Sequence, residues 1–228
     1  MTTIFQAEVS CGLCGCRQIV TEIGSTSSFG AMDLDTRPPE MRRSTMAYWV
    51  HECEECGFVA AEFGKSVATD AKRVATTEYR RELERNDRAQ LGNRFVCRAL
   101  LEESAGDLVS AGWRRLHAAW ACDDEDQAEE ARVQRLAALE LFERGRAGGL
   151  PAMKSTAGGD EVLLADLARR AGQFEQALAY CAAGLALPEV PAFVNSLLML
   201  QQDLVRARDT SCHTVAEAEA TPRGGTVH

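Results

Sequence analysis

Apolar and polar positions follow two different patterns along the chain, and the change falls near residue 64. Before that point, short runs of β-branched and aromatic residues flank tight, glycine-bearing turns, which is typical of β-hairpins. Two pairs of such runs occur, at residues 4–9 and 17–23 and at residues 47–51 and 57–61. The first part of the chain is therefore predicted to form two small hairpins.

From residue 65 onward, apolar residues recur at the three- and four-residue spacings of amphipathic helices. Trp113, Leu116 and Trp120, for example, share one face of a predicted helix. The pattern predicts a polar helical stretch and then six further helices, at residues 66–91, 90–103, 108–121, 127–144, 161–171, 174–187 and 191–208. This part of the chain is therefore predicted to be entirely helical.

The last of these helices resemble a helical repeat. A glycine-rich break at residues 145–159 precedes Asp160, which is predicted to cap the next helix, and Gly172 is predicted to end that helix. The stretch 164–188 resembles a tetratricopeptide repeat, because small residues between its helices allow them to approach closely. Residues 113–142 are interpreted as a diverged preceding repeat. An ordinary helical bundle is the alternative.

Composition places the chain among globular proteins. Of its 228 residues 46% are hydrophobic and 26% charged, which excludes wholesale disorder. The net charge of −9 disfavours binding to nucleic acid or to an anionic membrane. No run is long and apolar enough to span a bilayer, and the first residues do not resemble a signal peptide. We expect a cytoplasmic protein, in which clustered cysteines bind metal more often than they form disulfides.

Four of the nine cysteines form two copies of the pattern C-x-x-C-G. Cys11 and Cys14 form the first copy, and Cys53 and Cys56 form the second. Each pair can occupy two corners of a tetrahedron, so the two turns together match the four-thiolate geometry that zinc favours. The sequence predicts a structural Zn²⁺ on which the β module depends for folding. A redox dithiol and an iron–sulfur cluster are the alternatives, and participation of Cys16 is left open.

Other motifs that carry chemistry are incomplete. Gly64-Lys65-Ser66 resembles the end of a phosphate-binding loop, but Val59 stands where that loop requires its first glycine. His117 is interpreted as a packed or exposed side chain rather than a catalytic one. No dinucleotide fingerprint or nucleophile elbow is present in the sequence. These observations favour a protein that is not an enzyme.

A proline-fixed loop contains the remaining candidate site. Asp33, Asp35 and Arg37 lie close together in it, and two acids beside an arginine either brace the metal module as an ion-pair network or contact a ligand or partner. Structural bracing is the favoured interpretation. Ligand or partner contact is the alternative.

The chain resembles the bacterial DUF2225 family, whose members are uncharacterised. The resemblance rests on C-x-x-C-G, on the following Phe-Gly-x-x-Asp-Leu-Asp-Thr-Arg-Pro-Pro, and on the second C-x-x-C-G with repeat-like helices after it, and it covers about residues 9–200. Glu54 stands in place of the customary proline and Phe58 in place of tyrosine, and neither departure removes a metal ligand. The resemblance implies a cysteine-knuckle module before a tetratricopeptide-like region, and it implies no activity.

Taken together, the patterns predict an α+β protein with a small zinc-ribbon-like β module at residues 1–64 and an α-helical, tetratricopeptide-like domain at residues 65–208. Residues 209–228 are predicted to be a disordered tail. The predicted function is a cytoplasmic, non-enzymatic scaffold that binds a protein or peptide partner on its helices. The alternatives are a small-ligand sensor or enzyme using the Asp33/Asp35/Arg37 loop and nucleic-acid binding through the zinc ribbon.

Overall fold

A computed structural model describes residues 1–220 of the chain. The chain divides into two units, which interleave in sequence. The first unit consists of Met1–Ser28 with Glu40–Pro151, and the second consists of Phe29–Pro39 with the chain from Ala152 onward. This division differs from the predicted boundary between residues 64 and 65, because the first five helices belong with the hairpins and the Phe29–Pro39 loop belongs with the last helices.

Two antiparallel hairpins begin the first unit, and each is closed by a cysteine turn. Strand β1 (Thr3–Ser10) pairs with β2 (Arg17–Ser25), and the two-residue strand β3 (His51–Glu52) pairs with β4 (Val59–Ala60). Each pair forms its own two-stranded sheet. A small antiparallel sheet near the N-terminus thus precedes a helical region, and the predicted α+β class is confirmed.

The strand predicted at residues 47–51 is mostly absent. A 3₁₀ helix, Arg43–Tyr48, occupies this position, and Nε1 of Trp49 donates to Oγ1 of Thr45 at 3.0 Å. The ring of Trp49 lies edge-on to those of His117 and Trp120. Packing of Trp49 against helical side chains therefore determines the local backbone, although the aromatic run by itself favours a strand.

The helices of the first unit are α1 (Asp70–Val74), α2 (Thr77–Leu83), α3 (Gln90–Ser104), α4 (Leu108–Asp124) and α5 (Ala128–Ala147). Phe95, Leu116 and Phe142, from α3, α4 and α5 respectively, are fully buried. Helices α4 and α5 approach closely at Gly112, where an added Cβ would lie 2.5 Å from the Phe142 ring. These three consecutive helices therefore share the core of the unit.

The second unit contains α6 (Gly159–Arg170), α7 (Phe174–Leu185), α8 (Ala192–Arg206) and α9 (Val215–Ala220). Its core brings together one residue of the Phe29–Pro39 loop with residues of α6, α8 and α9, namely Leu34, Val162, Val194, Leu197, Leu198 and Ala218. The loop is therefore part of this core, far along the chain from the helices that cover it.

One type of turn ends α3, α4 and α6. Gly106, Asp126 and Gly172 have positive φ angles, and in each case the following N–H donates to the carbonyl oxygen five residues earlier, at 2.9, 2.9 and 2.8 Å. This is a Schellman arrangement, and it confirms Gly172 as the residue after the end of α6. The same arrangement also ends α5 and α8, so these turns do not identify a repeat, and the tetratricopeptide-like character stays a prediction.

Asp160 does not occupy the predicted N-cap position of α6. The helix starts after Gly158, whose φ is +78°. The Asp160 carboxylate instead accepts the backbone N–H groups of Met153 and Lys154, at 3.2 and 2.7 Å. Asp160 thus holds the loop that precedes the helix.

The predicted tail is partly ordered. The N–H of Leu34 donates to the His213 carbonyl oxygen, and the N–H of Val215 donates to the Met32 carbonyl oxygen, both at 2.9 Å. Residues 213–215 therefore pair with the Phe29–Pro39 loop, in contrast to the predicted disorder, because the loop supplies backbone partners that the sequence does not reveal. Residues 221–228 of the predicted tail lie outside the described part of the chain.

Across residues 1–220, no helix combines the length and the apolar composition needed to cross a membrane.

Candidate metal centre and buried ion pairs

The two cysteine turns bring four sulfur atoms together in the first unit. The Sγ atoms of Cys11 and Cys56 are 3.8 Å apart, those of Cys14 and Cys53 are 3.6 Å apart, and all four lie within 4.8 Å of one another. A tetrahedral ion with metal–sulfur bonds of about 2.3 Å holds its sulfurs about 3.8 Å apart. The four predicted ligands are therefore brought together, and they could hold a metal ion.

Both turns use the same backbone hydrogen bonds. The N–H of Gly15 donates to the Cys11 carbonyl oxygen at 2.9 Å, and the N–H of Gly57 donates to the Cys53 carbonyl oxygen at 2.8 Å. In each turn the N–H of the first cysteine donates to the carbonyl oxygen five residues later, at 2.7 and 2.8 Å. Both glycines have φ near +70°, at +77° and +70°, which explains the glycine after each second cysteine.

Contacts beyond the turns fix their positions within the first unit. The Gly12 N–H donates to the Phe63 carbonyl oxygen at 3.0 Å, and Oγ of Ser66 donates to the Gly12 carbonyl oxygen at 2.6 Å. A Cβ at Gly12 would lie 2.7 Å from the Lys65 backbone. The first turn therefore packs against the chain that leaves the second hairpin, and only glycine fits at this contact.

A buried tyrosine connects the second turn to α2. The Tyr79 hydroxyl donates to the Gly57 carbonyl oxygen at 2.9 Å and accepts the Val59 N–H at 3.1 Å. The side chain is fully buried, and this burial raises the pKa of its hydroxyl. Tyr79 explains why the hairpins and the first helices form one unit. The sequence pattern of residues 66–91, which predicted a polar helical stretch, gave no sign of this role.

The four thiols do not share one electrostatic environment. Burial raises the pKa of Cys11 and Cys56, whereas the N–H of Cys16 donates to the Cys14 sulfur and thereby lowers the pKa of that thiol. The Leu13 N–H also points at the Cys11 sulfur, at 3.4 Å. Backbone donors at sulfur stabilise thiolate, which is the form that binds a metal.

Cys16 and His51 lie outside this cluster. Sγ of Cys16 donates to the Arg17 carbonyl oxygen at 3.7 Å. The ring of His51 lies edge-on to that of Phe63, with centroids 6.4 Å apart. The cluster as described is therefore complete with the four predicted cysteines.

The loop residues Asp33, Asp35 and Arg37 are all buried within the second unit. Oδ2 of Asp35 accepts from Nη1 of Arg170 at 3.0 Å, and its Oδ1 accepts the Arg37 N–H at 3.2 Å. The Asp33 N–H donates to the Arg37 carbonyl oxygen at 3.0 Å. The structure thus brings the three residues together in a turn that is joined to α6. This favours a structural role, but within the second unit, since the loop does not belong to the unit of the predicted metal module.

A second buried group, which the sequence analysis missed, lies beside this loop. Arg169 is fully buried, and its guanidinium donates to Oδ1 of Asp166 at 2.6 Å and to Oε1 of Gln201 at 3.1 Å. It also donates to the carbonyl oxygens of Asp209 and Ser211, at 2.6 and 2.9 Å. Arg169 therefore connects α6, α8 and the C-terminal segment. Asp166 and Arg169 lie within a helical pattern like that of the other helices, so the sequence gave no signal for this buried group.

The C-terminal segment carries a local cluster around His213. Its Nδ1 lies 2.6 Å from Oε2 of Glu217, and its Nε2 lies 3.0 Å from Oδ2 of Asp209 and 3.1 Å from Oγ of Ser211. Burial lowers the pKa of His213, but the hydrogen bonds to Glu217 and Asp209 outweigh burial and raise it overall. Oδ1 of Asp209 also accepts from both the backbone N–H and the hydroxyl of Ser211, so the serine hydroxyl helps to fix this turn.

His117 lies in an aromatic environment in the first unit. Its ring centroid is 5.1 Å from that of Trp49, 5.2 Å from that of Phe95 and 4.9 Å from that of Trp120. Burial, and secondarily the charge of Arg114, lowers the pKa of His117 to about 3. The side chain is therefore neutral near pH 7 and forms part of the core.

Comparison of the chain with protein-family models, with curated proteins and with solved structures found no match. The resemblance to the DUF2225 family accordingly stays a prediction that rests on the motifs alone.

Proposed function

We propose that Cys11, Cys14, Cys53 and Cys56 bind a structural Zn²⁺. The observation that carries this is the spacing of the sulfurs, which agrees with the edges of a tetrahedral zinc–thiolate site. Four thiolates leave no coordination position for a substrate, so such an ion stabilises the fold and does no chemistry. Isolated two-stranded hairpins are marginally stable in water, which gives the ion a physical role here.

The two alternative roles of the cysteines have less support. An iron–sulfur cluster keeps its cysteine sulfurs further apart, because iron and sulfide ions lie between them. A redox dithiol needs only one pair, whereas here both pairs converge on one point. Metal analysis of the purified protein tests this assignment. We expect one zinc per chain, and iron or an absence of bound metal would contradict it.

We further propose that the chain is a non-enzymatic, cytoplasmic scaffold that binds a protein partner through its helices. The supporting feature is the outer side of α7, which we call the α7 face, defined by Leu178, Ala179, Ala182 and Ala183. All four residues are exposed, and Glu175 is the one charged residue in Phe174–Leu185.

A solvent-facing helix normally carries charged residues on its outer side. Helix α7 instead exposes alanine and leucine, and Leu187 just beyond its end is 40% exposed. Small side chains also let another helix approach closely. An apolar segment of a partner protein is therefore the occupant that we propose for the α7 face.

Substitution of this face tests the proposal. In quantitative capture from a lysate of the source organism, with immobilised zinc-loaded protein, Ala182→Glu should reduce recovery of a specific partner at least tenfold. Ala157→Glu makes the same change at an exposed position before α6 and should leave recovery unchanged. Light scattering, measured in parallel, determines whether the wild type and each variant are monomers or dimers.

Two outcomes would contradict the proposal. Equal recovery with both variants would show that the α7 face does not bind the captured protein. A wild-type dimer that becomes a monomer in Ala182→Glu would assign the face to a second copy of this chain instead.

The other two candidate functions have weaker support. Asp35 is fully buried and is held by Arg170, so its carboxylate is not presented to a substrate. A contiguous basic face near Arg37, Arg42 and Arg43 would favour nucleic-acid binding, but Arg37 is buried.

A further inference from the structure

Strand β1 is the outer strand of the first hairpin. Its partner β2 lies against the second hairpin, because the Gln18 side chain donates to the Glu52 carbonyl oxygen at 2.9 Å and accepts the Glu54 N–H at 3.3 Å. Among residues 1–220, by contrast, β1 pairs with β2 alone. One edge of β1 therefore carries backbone N–H and C=O groups to which no other strand of the described chain is bonded.

The free part of this edge lies between two boundaries. Towards its end, β1 packs against Gly64, where an added Cβ would lie 3.5 Å from Cγ1 of Val9. At its start, the register with β2 shifts between Thr3 and Ile4, and it is regular beyond that point. Residues 4–8 therefore form a regular edge that is open to another strand.

This edge lacks the features that usually protect an exposed strand, which are charged residues, prolines and bulges. Residues 4–7 are Ile-Phe-Gln-Ala, without a charge or a proline. Ile4 and Phe5 are 51% and 49% exposed. A hairpin of two strands also gains stability when further strands join its sheet. The edge is therefore suited to the addition of an uncharged, apolar strand.

A second copy of β1 meets this requirement in antiparallel pairing. A twofold axis at Phe5 places Phe5 opposite its own copy and Ile4 opposite Gln6 of the second copy, and aromatic residues that lie opposite each other stabilise a sheet. Glu8 is the one charged residue of β1. An axis at Glu8 would place two carboxylates opposite each other, whereas the axis at Phe5 keeps them apart. The charge pattern of β1 therefore favours pairing centred on Phe5.

We propose that two copies of this chain associate through antiparallel pairing of their β1 strands, centred on Phe5, to form a four-stranded sheet. Each copy contributes the same strand, so the interface is closed and gives a dimer rather than a filament. Two short strands bury less area than a standard protein interface, and we therefore expect a dimer that dissociates on dilution. This interface is separate from the α7 face, so either proposal can fail without the other.

Sedimentation velocity of the zinc-loaded, full-length protein over a series of concentrations tests this inference. The wild type should change from monomer to dimer as the concentration rises. Phe5→Lys places two like charges opposite each other and should weaken dimerisation at least about tenfold. Ile19→Lys makes a similar change at a residue of β2 that is 66% exposed and should leave dimerisation unchanged, as should Ala182→Glu on the α7 face.

A pair of charge variants tests the register. Ile4→Lys/Gln6→Lys and Ile4→Glu/Gln6→Glu should each be monomeric, because residue 4 of one copy lies opposite residue 6 of the other. An equimolar mixture of the two variants should form a heterodimer, which also shows that both variants fold. In the wild type, amide exchange within residues 4–7 should slow as the dimer forms.

Four results would overturn the inference. A wild type that stays monomeric at every concentration would exclude the dimer. A dimer that Phe5→Lys and Ile19→Lys affect equally, or charge variants whose mixture gives no heterodimer, would exclude pairing through β1. A dimer that is lost in Ala182→Glu and kept in Phe5→Lys would place the interface on the α7 face instead.

Discussion

The cysteine cluster of the first unit and the buried Asp166/Arg169/Gln201 group of the second unit both join distant parts of the chain through side-chain contacts. The cysteines consist of two copies of one short motif, and the repetition indicates that the copies meet. The second group uses three different residue types on two helices, and only Asp166 and Arg169 are near in sequence. A repeated motif can therefore predict a long-range contact, whereas a mixed set of polar residues cannot.

The two sites also differ in what stabilises them. The zinc–thiolate bonds that we propose for the cysteine cluster would contribute directly to folding. A buried ion pair must first offset the free energy of removing its charges from water, and it does so only when its hydrogen bonds are complete. Substitution of one residue in either site should therefore destabilise the unit that contains it. The physical reason and the size of the effect should differ between the two sites.

The largest effect is expected at the proposed zinc site. Cys53→Ser removes a buried member of the cysteine cluster, and we expect zinc content to fall from about one ion per chain to near zero, with loss of ordered structure in both hairpins, because three thiolates cannot complete the proposed site. Metal analysis and amide exchange of residues 3–25 measure this.

Cys16→Ser is the matched control, since this thiol lies next to the first turn but outside the cluster. It should retain the zinc and the hairpins. Retention of zinc by Cys53→Ser, or its loss in Cys16→Ser, would show that the ligands are assigned wrongly.

An intermediate effect is expected in the second unit. Arg169→Met leaves the carboxylate of Asp166 buried without its guanidinium, and we expect a loss of about 3–5 kcal/mol in the free energy of unfolding. Amide exchange of residues 209–214 should accelerate, because the guanidinium on α6 that donates to the carbonyl oxygens of Asp209 and Ser211 is gone. Urea unfolding and exchange rates measure both.

The double variant Asp166→Leu/Arg169→Met should recover a large part of that loss, because it leaves no unpaired charge. If the double variant were less stable than Arg169→Met by the full effect of a second independent substitution, the two residues would not act as a pair.

The smallest effect is a pH dependence within the first unit. The pKa of His117 is lowered from 6.5 to about 3 by burial, so below pH 6.5 the unfolded chain takes up a proton that the folded chain does not. Stability should therefore fall as the pH decreases, by about 2 kcal/mol between pH 7 and pH 5.

His117→Leu removes this titration at similar side-chain size. The urea midpoint of the variant should change less between pH 7 and pH 5 than that of the wild type. His51, whose pKa burial also lowers, supplies a dependence of the same sign in both proteins. Equal pH dependence in variant and wild type would exclude His117 as its source.

Much of the local structure followed from residue patterns. The periodicity of apolar residues indicated helices α3 to α8 to within a few residues, because each helix buries one continuous face. The two C-x-x-C-G turns indicated the hairpins, because glycine supplies the positive φ that such a turn requires. By contrast, the aromatic run at residues 47–51 suggested a strand where packing of Trp49 produces a 3₁₀ helix.

The sequence by itself determined the two cysteine turns, most of the helices and the acidic, globular character of the chain, since each depends on residues that are close in sequence. Only the tertiary structure decided that Tyr79 joins the second turn to α2, that Arg169 holds the C-terminal segment, and that the Phe29–Pro39 loop enters the core of the second unit. The physical reason is that hydrogen bonds and burial between residues far apart in the chain leave no spacing pattern from which they can be inferred.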